Sequence, residues 1–166
     1  VVSNATKAEF VPLNATTSNV QELRKEIEAA KQRRTLYDKK TILFIDEIHR
    51  FNKAQQDVLM PDVEAGVVVL IGATTYNPFF SIVAPLISRS LVFELKPLSE
   101  TDIVTILNNA LKDKERGLGN MPVKIESEAL KFLAKLSEGD ARRALNGLEL
   151  AALTTPKSKD GAINIT

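Results

Sequence analysis

Thr41-Ile42-Leu43-Phe44-Ile45 is an unbroken apolar run, and Asp46 and Glu47 follow it directly. Because its hydrophobic residues are consecutive rather than alternating, the run predicts a strand that is covered on both faces, as in a parallel sheet. Residues 67–71 form a second such run, and residues 91–95 form a third, less pure one. Together the runs predict a sheet of parallel strands.

Helical patterns lie between these strands. Residues 8–13 predict one more short strand, and Ser18 fits the cap of a helix with apolar residues at helical spacing, namely Val20, Leu23, Ile27 and Ala30. Asn52 opens another helix, which we expect to end near Pro61 because proline disrupts helix interiors. Residues 1–96 therefore alternate strands and helices, which is an α/β pattern.

From residue 97 on, the sequence predicts only helices. Ser99 fits a helix cap with Asp102 at the third helical position, and Asp140 fits the cap of the last helix. The residues after 153 are polar and turn-rich, which is typical of a linker. We thus expect a partial α/β core over residues 1–96, an all-helical domain over residues 97–153 and a linker or tail over residues 154–166.

The composition excludes several classes of protein. The 166 residues include 22 Lys and Arg, 21 Asp and Glu, one His and no Cys. Without cysteine there is no disulfide framework and no thiolate metal site. The net charge of +1 argues against a general polyanion-coating surface, although it is compatible with a local patch. Because the chain has no membrane-length apolar run and no signal segment at Val1-Val2-Ser3-Asn4, we expect an intracellular protein, cut from a longer one.

Asp46 and Glu47 are the first candidates for chemistry. A hydrophobic strand followed by Asp-Glu is the Walker B arrangement, and the carboxyl end of such a strand faces the ligand crevice of an open α/β sheet. There Asp46 can hold a magnesium ion through water, and Glu47 can orient or deprotonate an attacking water. The alternative is an inert, solvated acidic pair at the end of a strand.

Polar groups elsewhere in the sequence fit the same chemistry. Thr75 and Asn77 follow the next buried strand, so they reach the same sheet edge and can hydrogen-bond a γ-phosphate or a catalytic water. Arg89 can stabilise a transferring phosphoryl group, most naturally on a neighbouring subunit. At about 100° per residue, Arg142 lies on the flank of the apolar stripe of its helix, whereas Arg143 lies on the far side and is more typical of a solvated charge.

His49 is the only histidine of the chain. No partner at metal-ligand spacing accompanies it, so we expect it to form a local hydrogen bond beside the strand end rather than a metal site. Arg50 and Lys53 follow, and they are typical of solvated charges at the start of a helix. Contact with DNA or with a neighbouring subunit is the alternative for these two side chains.

The order of these motifs resembles that of an AAA+ ATPase, with Walker B ending at Glu47, sensor 1 at Thr75, a clamp-loader-like Ser-Arg finger at Arg89 and sensor 2 at Arg142. Residues 44–57 look like the signature of the replication-associated recombination ATPases, the RarA/MgsA group, which is related to the Werner-helicase-interacting protein. Residues 14–18, 72–78 and 139–146 match the same group, and the likeness covers about residues 8–153.

The resemblance implies a partial AAA+ parallel-sheet core followed by an all-helical lid, in a parent protein that hydrolyses ATP with Mg²⁺. It implies that Asp46 holds magnesium-bound water and that Glu47 activates the attacking water. Thr75 and Asn77 would contact the γ-phosphate region. By the same resemblance, Arg142 reaches the nucleotide from the lid, and Arg89 acts on a neighbouring subunit.

The resemblance also implies partners for the full-length protein. These are DNA at forks and at single-strand/double-strand junctions, further copies of the same chain in a homo-oligomer, and single-strand-binding protein as a further candidate; no membrane is implied. The expected location is the cytoplasm, associated with the nucleoid, in a bacterium and the nucleus in a eukaryote.

One part of the family's pattern is missing. A phosphate-binding P-loop, or Walker A motif, requires G-x-x-x-x-G-K-S/T, and none of the seven glycines is followed by Lys. In AAA+ modules this loop follows a strand between those corresponding to residues 67–71 and 91–95, so we expect that strand and loop upstream and no turnover by this chain alone. Asp62 and Tyr76 replace residues usual in the family, but neither position is needed for hydrolysis.

Two other functions stay open. The chain can be a non-catalytic module, comparable to clamp-loader subunits that keep the fold without turnover. Asp46-Glu47-Ile48-His49 also matches the D-E-x-H box of superfamily 2 helicases. Those enzymes need a second recombinase-like domain, whereas this sequence predicts only helices after Pro97.

Overall fold

A computed structural model describes residues 5–166, and the first four residues, where the sequence predicts no signal segment, lie outside the described residues. The chain forms two compact units, of which the first ends at Phe93 and the second covers Glu94–Thr166. This division falls close to the boundary that the sequence predicts after residue 96. No helix of the described residues is both long enough and apolar enough to cross a membrane.

A parallel three-stranded sheet forms the centre of the first unit. Its strands are β1 (Glu9–Asn14), β2 (Thr41–Asp46) and β3 (Val68–Gly72), in the order β1-β2-β3. The central strand β2 is buried along most of its length, and Leu43 and Ile45 are almost fully inaccessible. The continuous apolar run of β2 therefore has the origin that the sequence predicts, namely burial on both faces.

Helices pack on the sheet of the first unit. They are α1 (Val20–Tyr37), α2 (Lys53–Glu64), α3 (Pro78–Ser81) and α4 (Ala84–Ser88), and a 3-10 turn covers Ile48–Arg50. Leu23, Ile27 and Ala30 of α1 are buried, as the helical spacing predicts, and Leu59 of α2 joins the same core.

Two predicted helix boundaries are wrong. The cap of α1 is Asn19, whose side chain accepts a hydrogen bond from the Glu22 amide, and not Ser18. Helix α2 does begin at the Asn52 cap, but it runs past Pro61 to Glu64. Proline removes one amide donor from the helix, yet the Pro61 carbonyl still accepts from the Ala65 amide, and the buried Leu59 anchors the helix to the core.

The prediction of a strand over residues 91–95 is also wrong. Residues 91–99 have no regular structure and are exposed. A strand needs a hydrogen-bonded neighbour, and this segment pairs with no strand in the described part of the chain. Its apolar composition alone was therefore insufficient to predict its conformation.

The second unit is built from three helices and a small parallel sheet. The helices are α5 (Glu100–Lys112), α6 (Ser127–Leu136) and α7 (Ala141–Thr154), and the strands are β4 (Val123–Ile125) and β5 (Ile163–Ile165). The apolar stripes of the helices meet in one core around Ile103, Leu107 and Leu148. The fold class, an α/β core with a parallel sheet followed by a helical domain, is confirmed.

The last residues correct the prediction of a linker or tail over residues 154–166. Ile163 and Ile165 of β5 are buried, and β5 pairs in parallel register with β4. The Ile165 carbonyl accepts a hydrogen bond from the Glu126 amide just before α6. The helical domain is therefore not entirely helical, because this short strand closes one side of its core.

The predicted caps of the second unit are confirmed. Ser99 and Asp102 form a reciprocal capping box at the start of α5, and the Asp140 carboxylate accepts from the amides of Arg142 and Arg143 at the start of α7. Gly139 precedes this cap with φ of +83°, and an added Cβ there would lie 2.7 Å from Cβ of Pro97. Glycine is thus required both by the backbone conformation and by the close approach.

Candidate functional site

The carboxyl ends of the three parallel strands in the first unit bring polar residues to one edge. Asn14 at the end of β1 is in register with Asp46 at the end of β2, and Ile45 is in register with Gly72 of β3. The connection after β3 is tied to β2, since the Ala73 amide donates to the Ile45 carbonyl at 2.9 Å and the Ala73 carbonyl accepts from the Ile48 amide at 3.0 Å. The segments that follow β2 and β3 therefore form one edge surface.

Asp46 and Glu47 differ in environment although they are adjacent. Asp46 is exposed, and its Oδ1 accepts a hydrogen bond from the Glu47 amide at 3.1 Å. Glu47 is partly buried and adopts φ 54° and ψ 39°, the left-handed conformation that non-glycine residues rarely adopt. Strained residues of this kind occur where a structure needs a particular side-chain direction, and here the strain turns the chain sharply between the strand and the 3-10 turn.

His49 lies between Glu47 and the loop after β3. Its Nδ1 is 2.9 Å from Oγ1 of Thr74, and its Nε2 is 3.2 Å from Oε2 of Glu47. The second pair is at ion-pair distance but lacks the alignment of a hydrogen bond, so Nε2 is a buried nitrogen without a hydrogen-bond partner in the described residues. The ring also lies against Tyr76, with 4.3 Å between ring centroids. The predicted local hydrogen bond of His49 is confirmed.

The structure gives different positions to the predicted residues after β3. Thr75 and Asn77 are both exposed at this edge, and Asn77 caps the short helix α3 by accepting a hydrogen bond from the Phe79 amide. Thr74 and Tyr76, to which the sequence assigned no role in the site, contact His49 from this loop. The only signal for Thr74 in the sequence was its place beside Thr75, directly after a buried strand.

Arg89 lies elsewhere in the first unit. Its guanidinium forms a 2.9 Å ion pair with Glu64 at the end of α2 and donates to the Pro85 carbonyl. Because α2 leads from the carboxyl end of β2 to the amino end of β3, its last turn lies toward the opposite edge of the sheet from Asp46. Arg89 is thus held apart from Asp46 and Glu47 of its own chain.

Arg142 belongs to the second unit, in the first turn of α7. Its amide donates to Asp140, and within residues 5–166 its exposed side chain forms no ion pair or hydrogen bond. Arg143 instead pairs with Glu138 at 3.0 Å, which agrees with its interpretation as a surface charge. Of the two neighbouring arginines, Arg142 is the one whose guanidinium stays available for a ligand.

The acidic groups of the described residues restrict the kind of metal site. These residues contain no cluster of three or more His, Asp or Glu side chains that could hold a metal by themselves. Magnesium in nucleotide sites usually keeps several waters and binds through one or two carboxylates plus substrate phosphates. The exposed carboxylate of Asp46, with only one oxygen occupied by a backbone amide, fits that chemistry.

Comparison with known proteins identifies the family of the chain. The model of the AAA family, the ATPases associated with various cellular activities, matches residues 1–98, and that of the AAA C-terminal domain matches residues 119–166. The Thermotoga maritima RuvB Holliday junction branch migration motor shares the fold, with a TM-score of 0.75 over 99% of this chain and 52% of that chain, at 24% identity.

Several curated relatives are more similar in sequence to this chain than the RuvB structure is. Replication-associated recombination protein A of Haemophilus influenzae is 44% identical over 161 residues, which are 97% of this chain and 36% of that protein. The protein of the same name from Escherichia coli K12 is 45% identical over 92% of this chain and 34% of its own length, and ATPase WRNIP1 of Dictyostelium discoideum is 41% identical over 91% and 17%. This chain thus spans about a third of the bacterial relatives. It belongs to the AAA family and is a homologue of the replication-associated recombination proteins and WRNIP1.

Proposed function

We propose that this chain supplies the water-activating half of an ATP-hydrolysing site in a DNA-dependent AAA+ ATPase of replication-fork maintenance, recombination and repair. One observation carries the proposal. Asp46 and Glu47 end the central buried strand of a parallel sheet, and the loop after the neighbouring strand is hydrogen-bonded to the same turn. In open α/β sheets this is the edge where ligands bind.

Each residue has a distinct role in the proposed site. The exposed Asp46 carboxylate holds Mg²⁺ through water, and the ion supplies charge neutralisation at the phosphates when it is bound. Glu47, partly buried and fixed in direction by its backbone, accepts the proton of the attacking water. Thr75 and Asn77 at the same edge contact the γ-phosphate region with their hydroxyl and amide groups, for which both exposed side chains keep free donor hydrogens.

Two arginines, Arg142 of the second unit and Arg89 of a neighbouring copy, complete the proposed site. The free guanidinium of Arg142 contacts the nucleotide, because a planar guanidinium pairs well with phosphate oxygens. Arg89 pairs with Glu64 and is held apart from Asp46 and Glu47 of its own chain. We therefore assign it to the site of a neighbouring copy, where its positive charge stabilises the phosphoryl group in transfer. That assignment requires a homo-oligomer.

The phosphate-gripping loop is not among these residues, because the sequence contains no G-K-S/T motif. We propose that polypeptide outside the 166 residues supplies it. The chain alone then shows no turnover, whereas a chain extended upstream hydrolyses ATP.

The DNA-related part of the proposal comes from homology. The relatives are named for replication and recombination, and the RuvB structure is described as a Holliday junction branch migration motor. We therefore propose forked DNA and single-strand/double-strand junctions as the partners of the full-length protein, with single-strand-binding protein as a further one, and a nucleoid-associated or nuclear location.

The substitution Glu47→Gln in the full-length protein tests the proposal. It keeps the size of the side chain but removes the base, so we expect kcat to fall by about a hundredfold or more, with ATP binding retained. Glu149→Gln, at an exposed position of α7, is the matched control and should leave kcat unchanged. A kcat within about twofold of the unsubstituted protein for Glu47→Gln would exclude Glu47 as the base.

A non-catalytic, clamp-loader-like module is the second candidate, and the missing G-K-S/T motif is the observation in its favour. An ATPase assay on the 166-residue chain and on the upstream-extended chain separates the two functions. Turnover in the extended chain, increased by forked DNA, supports the motor. Turnover in neither chain leaves the non-catalytic module.

A further inference from the structure

We propose that His49 is a positioning residue, which holds the Glu47 carboxylate in place and couples it to the loop after β3 through Thr74. The inference rests on the proposed function, because it assigns to Glu47 a role that requires a defined direction. It extends that function by adding a buried connection between the water-activating residue and the loop that faces the γ-phosphate.

The burial of the ring is the first observation. The side chain of His49 is only 8% exposed, although it lies beside a largely polar edge. One nitrogen meets Thr74 and the other meets Glu47, on opposite sides of the ring. A buried histidine that served only to fill space would not need a carboxylate at one of its nitrogens.

The hydrogen atoms of the cluster can be assigned from the acceptors. A carboxylate can only accept, so Nε2 must carry the hydrogen that faces Glu47. The Thr74 hydroxyl has a single hydrogen, and Nδ1 at 2.9 Å is closer to it than the Tyr76 carbonyl at 3.5 Å. The hydroxyl then donates to Nδ1, while its oxygen accepts from the Tyr76 amide at 3.1 Å. Of the two ring nitrogens of His49, only Nε2 is then left without an aligned hydrogen-bond partner in the described residues.

The unpaired Nε2–H of His49 restrains the side chain of Glu47. A buried N–H without an acceptor costs free energy, and Oε2 of Glu47, 3.2 Å from Nε2, is placed to accept from it. A small rotation of the carboxylate completes the bond. The cost therefore disfavours rotamers of Glu47 that turn away from His49, and it restrains a side chain whose backbone is already turned into the left-handed conformation.

The other end of the cluster connects to the loop. Thr74 bonds both His49 and Tyr76, and the Tyr76 ring lies against the His49 ring with 48° between their planes. Thr75 lies between Thr74 and Tyr76 in the sequence. A shift of the loop when Thr75 contacts a ligand is thus transmitted to the ring, and from the ring to the carboxylate.

Two amide variants separate the two contacts of the ring in the full-length protein. The amide of His49→Gln takes the place of Nε2 and keeps the contact to Glu47, whereas the amide of His49→Asn takes the place of Nδ1 and keeps only the contact to Thr74. His49→Ala removes both. We expect kcat to fall about tenfold in the alanine and asparagine variants, with KM for ATP within about twofold, and to stay within about threefold in the glutamine variant.

A structural role alone gives a different pattern. If His49 only stabilised the fold, the glutamine and asparagine variants would lose activity in proportion to their loss of thermal stability. Equal kcat values for these two variants, or a kcat of His49→Ala within about twofold of the unsubstituted protein, would overturn the proposal.

A spectroscopic measurement tests the contacts without any activity. In long-range ¹H–¹⁵N spectra the His49 ring is identified as the signal that His49→Gln lacks. We expect a hydrogen on Nε2, a shift of the Nδ1 signal in Thr74→Val and a shift of the Nε2 signal in Glu47→Gln. A ring with averaged nitrogen signals that neither substitution changes contradicts the proposal.

The two proposals fail in different ways. If Glu47→Gln leaves turnover intact, the proposed function fails, but the spectra still decide whether the cluster exists. If Glu47→Gln abolishes turnover while His49→Ala does not affect it, only the positioning role of His49 is lost.

Discussion

The two units of the chain differ in how many of their buried polar atoms lack a hydrogen-bond partner. Three buried side-chain atoms lack a hydrogen-bond partner in the described residues, and all three lie in the first unit: Arg33 Nη1, Thr41 Oγ1 and His49 Nε2. In the second unit the buried Ser137 donates its hydroxyl hydrogen to the Ala134 carbonyl at 2.7 Å. In the described residues, the buried side-chain polar atoms of the second unit thus all have hydrogen-bond partners, whereas three of those in the first unit do not.

The difference is a free-energy cost that falls on the first unit, because an unpartnered buried polar group has lost its hydrogen bonds to water without replacing them. One of the three atoms, His49 Nε2, lies beside the carboxylate to which we assign water activation. The first unit therefore combines an apolar core with an edge to which we assign the chemistry, whereas the described buried side-chain polar atoms of the second unit are all hydrogen-bonded. Four predictions test this contrast, from the largest expected effect to the smallest.

Leu107→Ala tests the packing of the second unit. Leu107 is fully buried between the helices, so its truncation should lower the free energy of unfolding by about 2–5 kcal/mol. Denaturant unfolding measures the loss, and amide exchange should show it in α5, α6 and α7. Leu153→Ala removes a leucine that is 68% exposed and should change stability by less than about 0.5 kcal/mol. A loss below about 1 kcal/mol for Leu107→Ala contradicts the packing argument.

Arg142→Ala tests whether the second unit also takes part in the chemistry. Because this guanidinium has no partner in the described part of the chain, its proposed use is the nucleotide, and we expect the Kd for ATP of the full-length protein to rise about tenfold, or ~1.4 kcal/mol.

The neighbouring Arg143→Ala is the matched control for Arg142. It breaks only an exposed ion pair with Glu138, so nucleotide affinity should stay within about twofold. Equal affinities for the two variants in a binding titration would remove Arg142 from the site.

Thr41→Val and Ser137→Ala test the contrast directly, and their effects should have opposite signs. The first replaces a buried hydroxyl without a partner by a methyl group and should stabilise the protein by about 1 kcal/mol. The second removes a satisfied buried hydrogen bond and should destabilise it by about 1 kcal/mol. If chemical denaturation shows that both substitutions destabilise the protein, the Thr41 hydroxyl does form a hydrogen bond, and the contrast between the two units fails.

The capping box of α5 predicts a small dependence of stability on pH. Hydrogen bonds from the Ser99 hydroxyl and then from the Ser99 amide lower the pKa of Asp102 below its ordinary value of 3.8. A carboxyl whose pKa is lower in the folded state stabilises the protein above its ordinary pKa, and this stabilisation is lost as the pH falls through the folded pKa.

Ser99→Ala should therefore raise the pKa of Asp102 toward 3.8, which NMR titration of the carboxyl measures. It should also reduce the decline of stability below about pH 4, since less stabilisation remains to be lost. Thr105→Ala, at an exposed position one turn further along α5, is the control, because its hydroxyl contacts neither Ser99 nor Asp102. An unchanged pKa in Ser99→Ala is the outcome that contradicts the capping box.

Local patterns predicted much of this fold. The buried strand β2, the helical spacing of α1 and the caps at Asn52, Ser99 and Asp140 are confirmed, because each depends on residues that are close in sequence. The caps in particular are short-range hydrogen bonds that any flanking fold permits.

The wrong predictions share a dependence on distant partners. Residues 91–95 are apolar enough for a strand, but they have no hydrogen-bonded neighbour in the described residues. Residues 163–165 are too short to predict alone, and they become a strand because β4 is beside them. Whether a strand forms is decided by its neighbour, and a single segment does not contain that information.

The same division applies to the candidate site. The sequence by itself determined which carboxylates end the central strand, since a buried apolar run followed by Asp46 and Glu47 is a local pattern, and it also determined the family to which the chain is related. Only the tertiary structure decided that Thr74 rather than Thr75 meets His49, and that His49 meets Glu47. The reason is physical: the direction of a side chain depends on a left-handed turn after β2 and on a loop from another strand, and these come together only when the sheet forms.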